Sequence, residues 1–277
     1  MNKYKHFATP YLIWMIVLTI IPILLMLVLS FMKMEGFKVN EAIFSFTTFQ
    51  KTFNRETAIA FSNSLKLATI ATVLCIFLGY PVAYIVSRLK IKNKFSFLLI
   101  LILPMFTNML LRVNTINKLL LPEGFLKNVF GISLNLSGTE FAVVLVMVIV
   151  YLPFMIFPIF TVLEKIDPSL LEASKDLGAN DRKSFFKVTL PLSLKGVSSG
   201  IIMVFLPSAT SFTIPQIVSL GRIKLIGNII EDKLGLSLSG SAVDYPVGSL
   251  ISIVILVVVM GALYIISKVD SEGETLL

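Results

Sequence analysis

Six long stretches of this chain carry no charged side chain: Pro10 to Met32, Leu67 to Ser87, Phe95 to Leu111, Phe141 to Leu163, Val197 to Gly221 and Tyr245 to Ser267. A bilayer's hydrocarbon core is about 30 Å thick and an α-helix rises about 1.5 Å per residue, so roughly 20 apolar residues make a span. Backbone groups inside lipid must satisfy their own hydrogen bonds, which favours helices for uninterrupted apolar runs. The pattern predicts an all-α membrane protein with six transmembrane helices. Lys66 and Arg112 can carry their charges outward on long stems, so the second and third helices are extended past them. The spans are placed at about residues 10–32, 64–87, 95–115, 141–163, 197–221 and 245–267, with residues 1–277 as a single transmembrane domain. The first run is too long for a signal-peptide core, lacks a small-residue cleavage pattern, and reads as a retained anchor.

Composition narrows the chemistry. With 56% hydrophobic and 14% charged residues, the chain has too little polar surface to coat a soluble globule. One histidine, His6, and one cysteine, Cys75, leave no material for a metal cluster, an intrachain disulfide or a Ser/His/Asp site. No catalytic residue is expected. An ion-coupled secondary carrier would want carboxylates or histidines inside the membrane, and the six cores hold none. The net charge of +8 is first a question of sidedness. Lys3, Lys5, Arg88, Lys90, Lys92, Lys94, the loop at 164–196 and Lys268 share one side, at about twice the cation density of the other. Both termini and that loop are therefore expected to be cytoplasmic, with lipid rather than nucleic acid as the contact of the apolar faces.

The loop at 164–196 is the most helix-like segment outside the spans. Asp167-Pro168 reads as an N-cap followed by a first helical residue. Leu170, Leu171, Ala173, Ser174 and Leu177 make a stripe at helical spacing, and Gly178 supplies the left-handed residue that ends it. Asp181 can cap a second short helix, stopped by Leu190-Pro191 before the fifth span. Such a pair can lie on headgroups with Phe185 and Phe186 in lipid, or dock in a partner's groove.

Glu172-Ala173-Ser174, Gly178 after three residues, then Val188, Leu190 and Pro191 at the matching spacing resemble the EAA signature of binding-protein-dependent ABC importer permeases; Ser174 stands where that signature has a second alanine. Phe61-Ser62-Asn63-Ser64-Leu65 resembles the family's entry to its permease core. The resemblance implies an ABC type I importer permease fold in a bacterial cytoplasmic membrane. It also implies a second related permease as heterodimer partner, two ABC ATPase subunits docked on the EAA loop, and an extracellular substrate-binding protein. ATP and magnesium would be bound by the ATPases, consistent with the lack of a G-x-x-x-x-G-K-[ST] loop here. Glu172, Ala173, Ser174, Gly178, Leu190 and Pro191 are the implied ATPase-coupling residues.

Leu225-Ile226-Gly227-Asn228-Ile229-Ile230 and Asp244-Tyr245-Pro246-Val247-Gly248 are similar to segments of spermidine/putrescine permeases, with Tyr245 where those typically have Trp. A polyamine needs carboxylates, carbonyls or ring faces. Asp244 and Tyr245 at the start of the sixth span, with Asn108, Tyr151, Thr210 and Ser211 deeper in the spans, are the candidate substrate-path residues. Asp244 reads equally as a helix cap. The alternative within the family is a permease for sulfate, ferric iron or phosphonate, for which Arg112 and Lys66 would supply positive charge.

Overall fold

The computed structural model describes residues 3–35, 38–44, 47–89, 94–122, 127, 131, 136–236 and 243–274. It is all-helical apart from one short hairpin, and five of its helices are long and apolar enough to cross a membrane. Contacts divide the chain into two units, one of residues 1–59 and 226–260, the other of residues 60–225 and 261–277.

The first unit begins with α1 (Lys3–Ser30), apolar on all sides; none of its most apolar stretch is buried. An antiparallel hairpin follows, β1 (Met32–Glu35) with β2 (Lys38–Phe44), pairing Met32 with Phe44 and Lys33 with Ile43. The short α2 (Thr47–Thr52) sets Phe49 against Phe31, ring centroids 5.7 Å apart. Helix α11 (Ile226–Lys233) leads into α12 (Tyr245–Glu274). The join is made by the Asp244 N–H donating to Lys233 O at 3.0 Å and the Val247 N–H donating to Asp244 Oδ1 at 3.3 Å.

The second unit holds the hydrophobic core, built on α6 (Glu140–Glu164). Thr139 caps it by accepting from the Ala142 N–H, and 72% of its most apolar window is buried. Helix α3 (Arg55–Arg88) packs with Gly79 close to Met155, and the Tyr80 hydroxyl meets Ser193 Oγ at 2.8 Å.

The third expected span is not one helix. Helix α4 (Lys94–Ile102) tightens into a 3-10 turn at Leu103–Phe106 and stops, and α5 (Met109–Leu120) starts anew. Pro104 lacks an N–H for a continuing ladder, and Asn108 Oδ1 accepts from the Leu110 and Leu111 N–H groups, so it caps a fresh helix. The fifth span departs from expectation at both ends. Helix α8 (Asp181–Ser184), a π-turn at Phe185–Thr189 and α9 (Leu190–Ala209) form one rod, Asp181–Ala209, so Leu190-Pro191 does not stop the helix. The wide turn lets the Leu190 N–H donate to Phe185 O, five residues back, directly before the proline that has no N–H to give. The rod ends at Thr210, and α10 (Thr213–Val218) is a separate short helix. Lys90 and Lys92, counted in the basic loop, lie outside the described residues.

Candidate functional site

Two places gather the residues singled out by sequence. The first is the elbow between α7 (Pro168–Asp176) and α8. Asp167 Oδ1 accepts from the Ser169 N–H at 2.9 Å, and that amide holds the Asp167 carboxyl below the usual carboxylate range. The far end closes with the Gly178 N–H donating to Lys175 O at 2.8 Å and the Ala179 N–H to Ser174 O at 3.0 Å. That closure puts Gly178 at φ +80°, where a side chain is disfavoured. The cap of α8 is Asn180, accepting from the Lys183 N–H at 2.9 Å, rather than Asp181. Asp181 instead pairs with Lys175 at 2.8 Å across the elbow, which raises the lysine above its ordinary value.

Ser174 Oγ bonds to Ser184 Oγ. The second alanine of the signature that this segment resembles would have no hydroxyl for this link. Glu172, Ala173 and Gly178 are exposed, Leu177 is 89% exposed, and Leu190 and Pro191 begin α9 at the other end of the π-turn. The stripe on α7 therefore has little to pack against within the chain. Phe185 packs within the chain, its ring nearly perpendicular to those of Tyr80 and Tyr84.

The second place is the break at 210–212, inside an apolar segment. Buried Tyr151 on α6 donates to Pro207 O at 3.4 Å. Among the described residues, buried Ser208 Oγ has no partner, and Ser211 Oγ, beside the Tyr151 hydroxyl, makes no bond of good geometry. Thr210 Oγ1 turns back to Leu206 O. The carbonyl end of α9, where the helix dipole is negative, is thus surrounded by hydroxyls. Arg112 faces the same region; its Nη1 donates to Pro104 O at 2.9 Å while its Nε is buried without a partner among the described residues. Asn108 is exposed and spends its oxygen on the α5 cap, so the structure does not add it to this group. Asp244 and Tyr245 belong to the other unit, where Asp244 caps α12 and lies 3.8 Å from Lys51. The Arg112 orphan was not legible in advance, because nothing in a sequence reports that a nitrogen lacks an acceptor.

The family described as "Binding-protein-dependent transport system inner membrane component" matches residues 75–269. The chain belongs to that family. The permease is 32% identical over 259 residues to "Spermidine/putrescine transport system permease protein PotB" of Haemophilus influenzae, covering 91% of this chain and 89% of that one. It is 29% identical to the protein of the same name from Escherichia coli K12, covering 91% and 92%. Over a shorter stretch, 55% of each chain, it is 28% identical to a "Probable molybdenum ABC transporter permease protein" of Haloferax volcanii. Among solved structures, a bacterial ABC transporter involved in the import of the acidic polysaccharide alginate superposes with TM-score 0.76 over 98% of this chain and 96% of that chain, at 15% identity. The same fold occurs in an alginate transporter solved in complex with its periplasmic protein, at TM-score 0.73 and 15% identity over 95% and 92% of the two chains. The permease is thus an inner-membrane transport component with the ABC importer permease fold, and not a catalytic subunit.

Proposed function

We propose that this permease carries spermidine and putrescine inward, by alternating access coupled to ATP hydrolysis in two partner ATPases. The substrate reading is carried by the PotB similarity, 32% identity spanning nine-tenths of the chain. The break at 210–212 is consistent with it: a dehydrating ammonium needs oxygen acceptors, and carbonyls and hydroxyls collect at the negative end of α9. Tyr151, Thr210 and Ser211 are the proposed path residues there. Asn108, Asp244 and Tyr245 remain path candidates on sequence grounds. Six spans are counted by taking α4 and α5 together as the third, with both termini and the α7 elbow cytoplasmic. Glu172, Ala173, Ser174, Gly178, Leu190 and Pro191 are proposed to form or support the surface that meets the ATPases, which hold ATP and magnesium. A second, related permease completes the pathway and an extracellular binding protein delivers the polyamine.

A second reading, transport of an anion such as sulfate or of an iron complex, rests on Arg112. It pairs with no carboxylate among the described residues, whereas Lys66 is neutralised by Glu140 at 2.6 Å. Uptake of radiolabelled spermidine, putrescine, sulfate and ferric iron, in cells with and without this subunit at matched partner expression, separates the two. Loss confined to polyamines is the expected result. Intact polyamine uptake with loss of another solute overturns the substrate assignment. Arg112→Ala then refines it: polyamine uptake should persist.

A further inference from the structure

A groove of about 380 Å³ lies between the elbow and the start of the rod. Leu177, Gly178 and Ala179 line it from the elbow, and Lys183, Lys187 and Val188 line it from the rod; the Ser174–Ser184 hydroxyl link joins the two sides. Leu177, at 89%, is the most exposed large apolar side chain among the described residues. A side chain added at Gly178 would meet nothing within 4 Å, so the backbone there is open to an incoming chain. Glu172, Asp176 and Asp181, the acidic residues of α7 and α8, do not line the groove. Lys183 and Lys187 are exposed, and among the described residues neither forms an ion pair. Lys175 differs from them, because Asp181 already holds it at 2.8 Å. Like charges four residues apart on a helix disfavour one another, so an apolar slot is flanked by positive charge that the chain itself leaves uncompensated.

We propose that this groove receives an acidic segment of the partner ATPase with an apolar side chain at its tip, carboxylates lying against Lys183 and Lys187 and the apolar side chain against Leu177 and Val188. The proposal rests on the coupling role proposed for the elbow and adds the chemistry of the partner surface. Charge decides the sign of the occupant: two unpaired lysines and no carboxylate in the lining favour an anionic one. Shape decides its class. A headgroup layer takes up projecting apolar side chains, and the ring exposed on the π-turn, Phe186, lies outside the groove. A concave slot edged by hydroxyls and ammonium groups instead fits a side chain that projects from a protein. Because the two sides of the groove lie on either side of Gly178, a segment seated across them grips α7 and the rod together. Motion of the ATPase then reaches the rod directly at Lys183 and Lys187, as well as through α7.

The test uses the full chain with its second permease in phosphatidylcholine nanodiscs, and the purified partner ATPase. Wild type should bind the ATPase with an affinity that falls as sodium chloride is raised. Lys183→Glu combined with Lys187→Glu should weaken binding about tenfold and flatten the salt dependence, whereas Lys183→Arg combined with Lys187→Arg should stay within about threefold. Leu177→Ala should weaken binding at low and high salt alike. A carbodiimide, which condenses a lysine amine with a touching carboxylate, should join the ATPase to Lys183 or Lys187 in the assembled wild-type transporter, a result that needs no variant to fold. Equal affinity of wild type and the charge-reversed chain, or no crosslink at either lysine, overturns the groove. An effect of charge reversal seen only when phosphatidylglycerol is present assigns the lysines to headgroups and also overturns it. Intact coupling in Gly178→Pro, with weakened binding by the charge-reversed chain, would remove the coupling role of the elbow and keep the groove. Lost coupling in Gly178→Pro, with unweakened binding by the charge-reversed chain, would do the reverse.

Discussion

Replacing Gly196 with alanine tests how closely α6 and α9 approach. A methyl carbon at 196 would lie 2.9 Å from Ile159 Cα, 2.9 Å from Pro158 O and 3.2 Å from Val162 Cβ. Comfortable carbon contacts begin near about 3.5 Å, so the shortfall is about 0.6 Å. Two of the three atoms are backbone of a buried helix and cannot swing aside as a side-chain end can. Overpacking of this kind costs about 1–3 kcal/mol, near the upper end where backbone must move. Alanine recovers about 1 kcal/mol of helix propensity, leaving a net loss of about 1–2 kcal/mol. Two other glycines calibrate the result. At Gly200 the nearest atom is the flexible Met155 Sδ, 2.5 Å from the added carbon, so Gly200→Ala should lose less. At Gly261 nothing lies within 4 Å, so Gly261→Ala should hold or raise stability. Thermal midpoints of the purified chain, read by size exclusion in one detergent, should rank Gly261→Ala highest and Gly196→Ala lowest. A Gly196→Ala midpoint at or above wild type would refute the close approach.

At the elbow, Gly178 has open space around it but φ +80°, so Gly178→Ala should cost about 1 kcal/mol through backbone strain alone. Gly178→Pro should abolish binding-protein-stimulated ATP hydrolysis and uptake in the assembled transporter; persistence of both would remove the elbow from coupling. Because the folded Asp167 carboxyl lies below its unfolded value, its cap is fully present above the ordinary carboxylate range and is lost as pH falls through the lowered value. Amide exchange at Ser169 should accelerate relative to neighbouring α7 amides in that window, and in Asp167→Ala at neutral pH. The Lys66–Glu140 pair is about half exposed, so Lys66→Ala should shift stability by no more than about 1 kcal/mol, measured as the same midpoint.

Apolar run length sufficed for α1, α3, α6 and α12, which stay helical even where Pro22, Pro81, Pro153 and Pro158 remove a backbone donor. It failed at 95–115 and 197–221, because hydropathy averages over breaks that cost no apolarity. Pro104 and Asn108 carried the signal for the first break: a missing donor, then a side chain able to cap. In the second, Thr210-Ser211 offered hydroxyls that satisfy or surround a helix end but did not announce that the helix stops there. Around the EAA loop, Asp167, Pro168 and Gly178 were legible because caps and left-handed turns depend on local chemistry. Asn180 caps α8 by the same local chemistry one residue ahead of Asp181, whereas the π-turn that carries the helix past Pro191 depends on geometry five residues wide. The Tyr80–Tyr84–Phe185 cluster joins residues about a hundred positions apart, which no local pattern reveals.

The unbroken rod from Asp181 to Ala209 has a mechanical meaning. Its 29 residues span about 43 Å. A close backbone approach to α6 falls at Gly196, near the middle, with arms of about 22 Å and 20 Å on either side. A rod held at its midpoint behaves as a seesaw. A tilt of about 5° displaces each end by about 2 Å, in opposite directions and with almost no gain or loss of amplitude. A tilt of the whole rod about Gly196 that pushes Asp181 toward one neighbour draws the hydroxyl-lined break at Thr210 the other way, and the π-turn and Pro207 are the two places where such a helix yields instead.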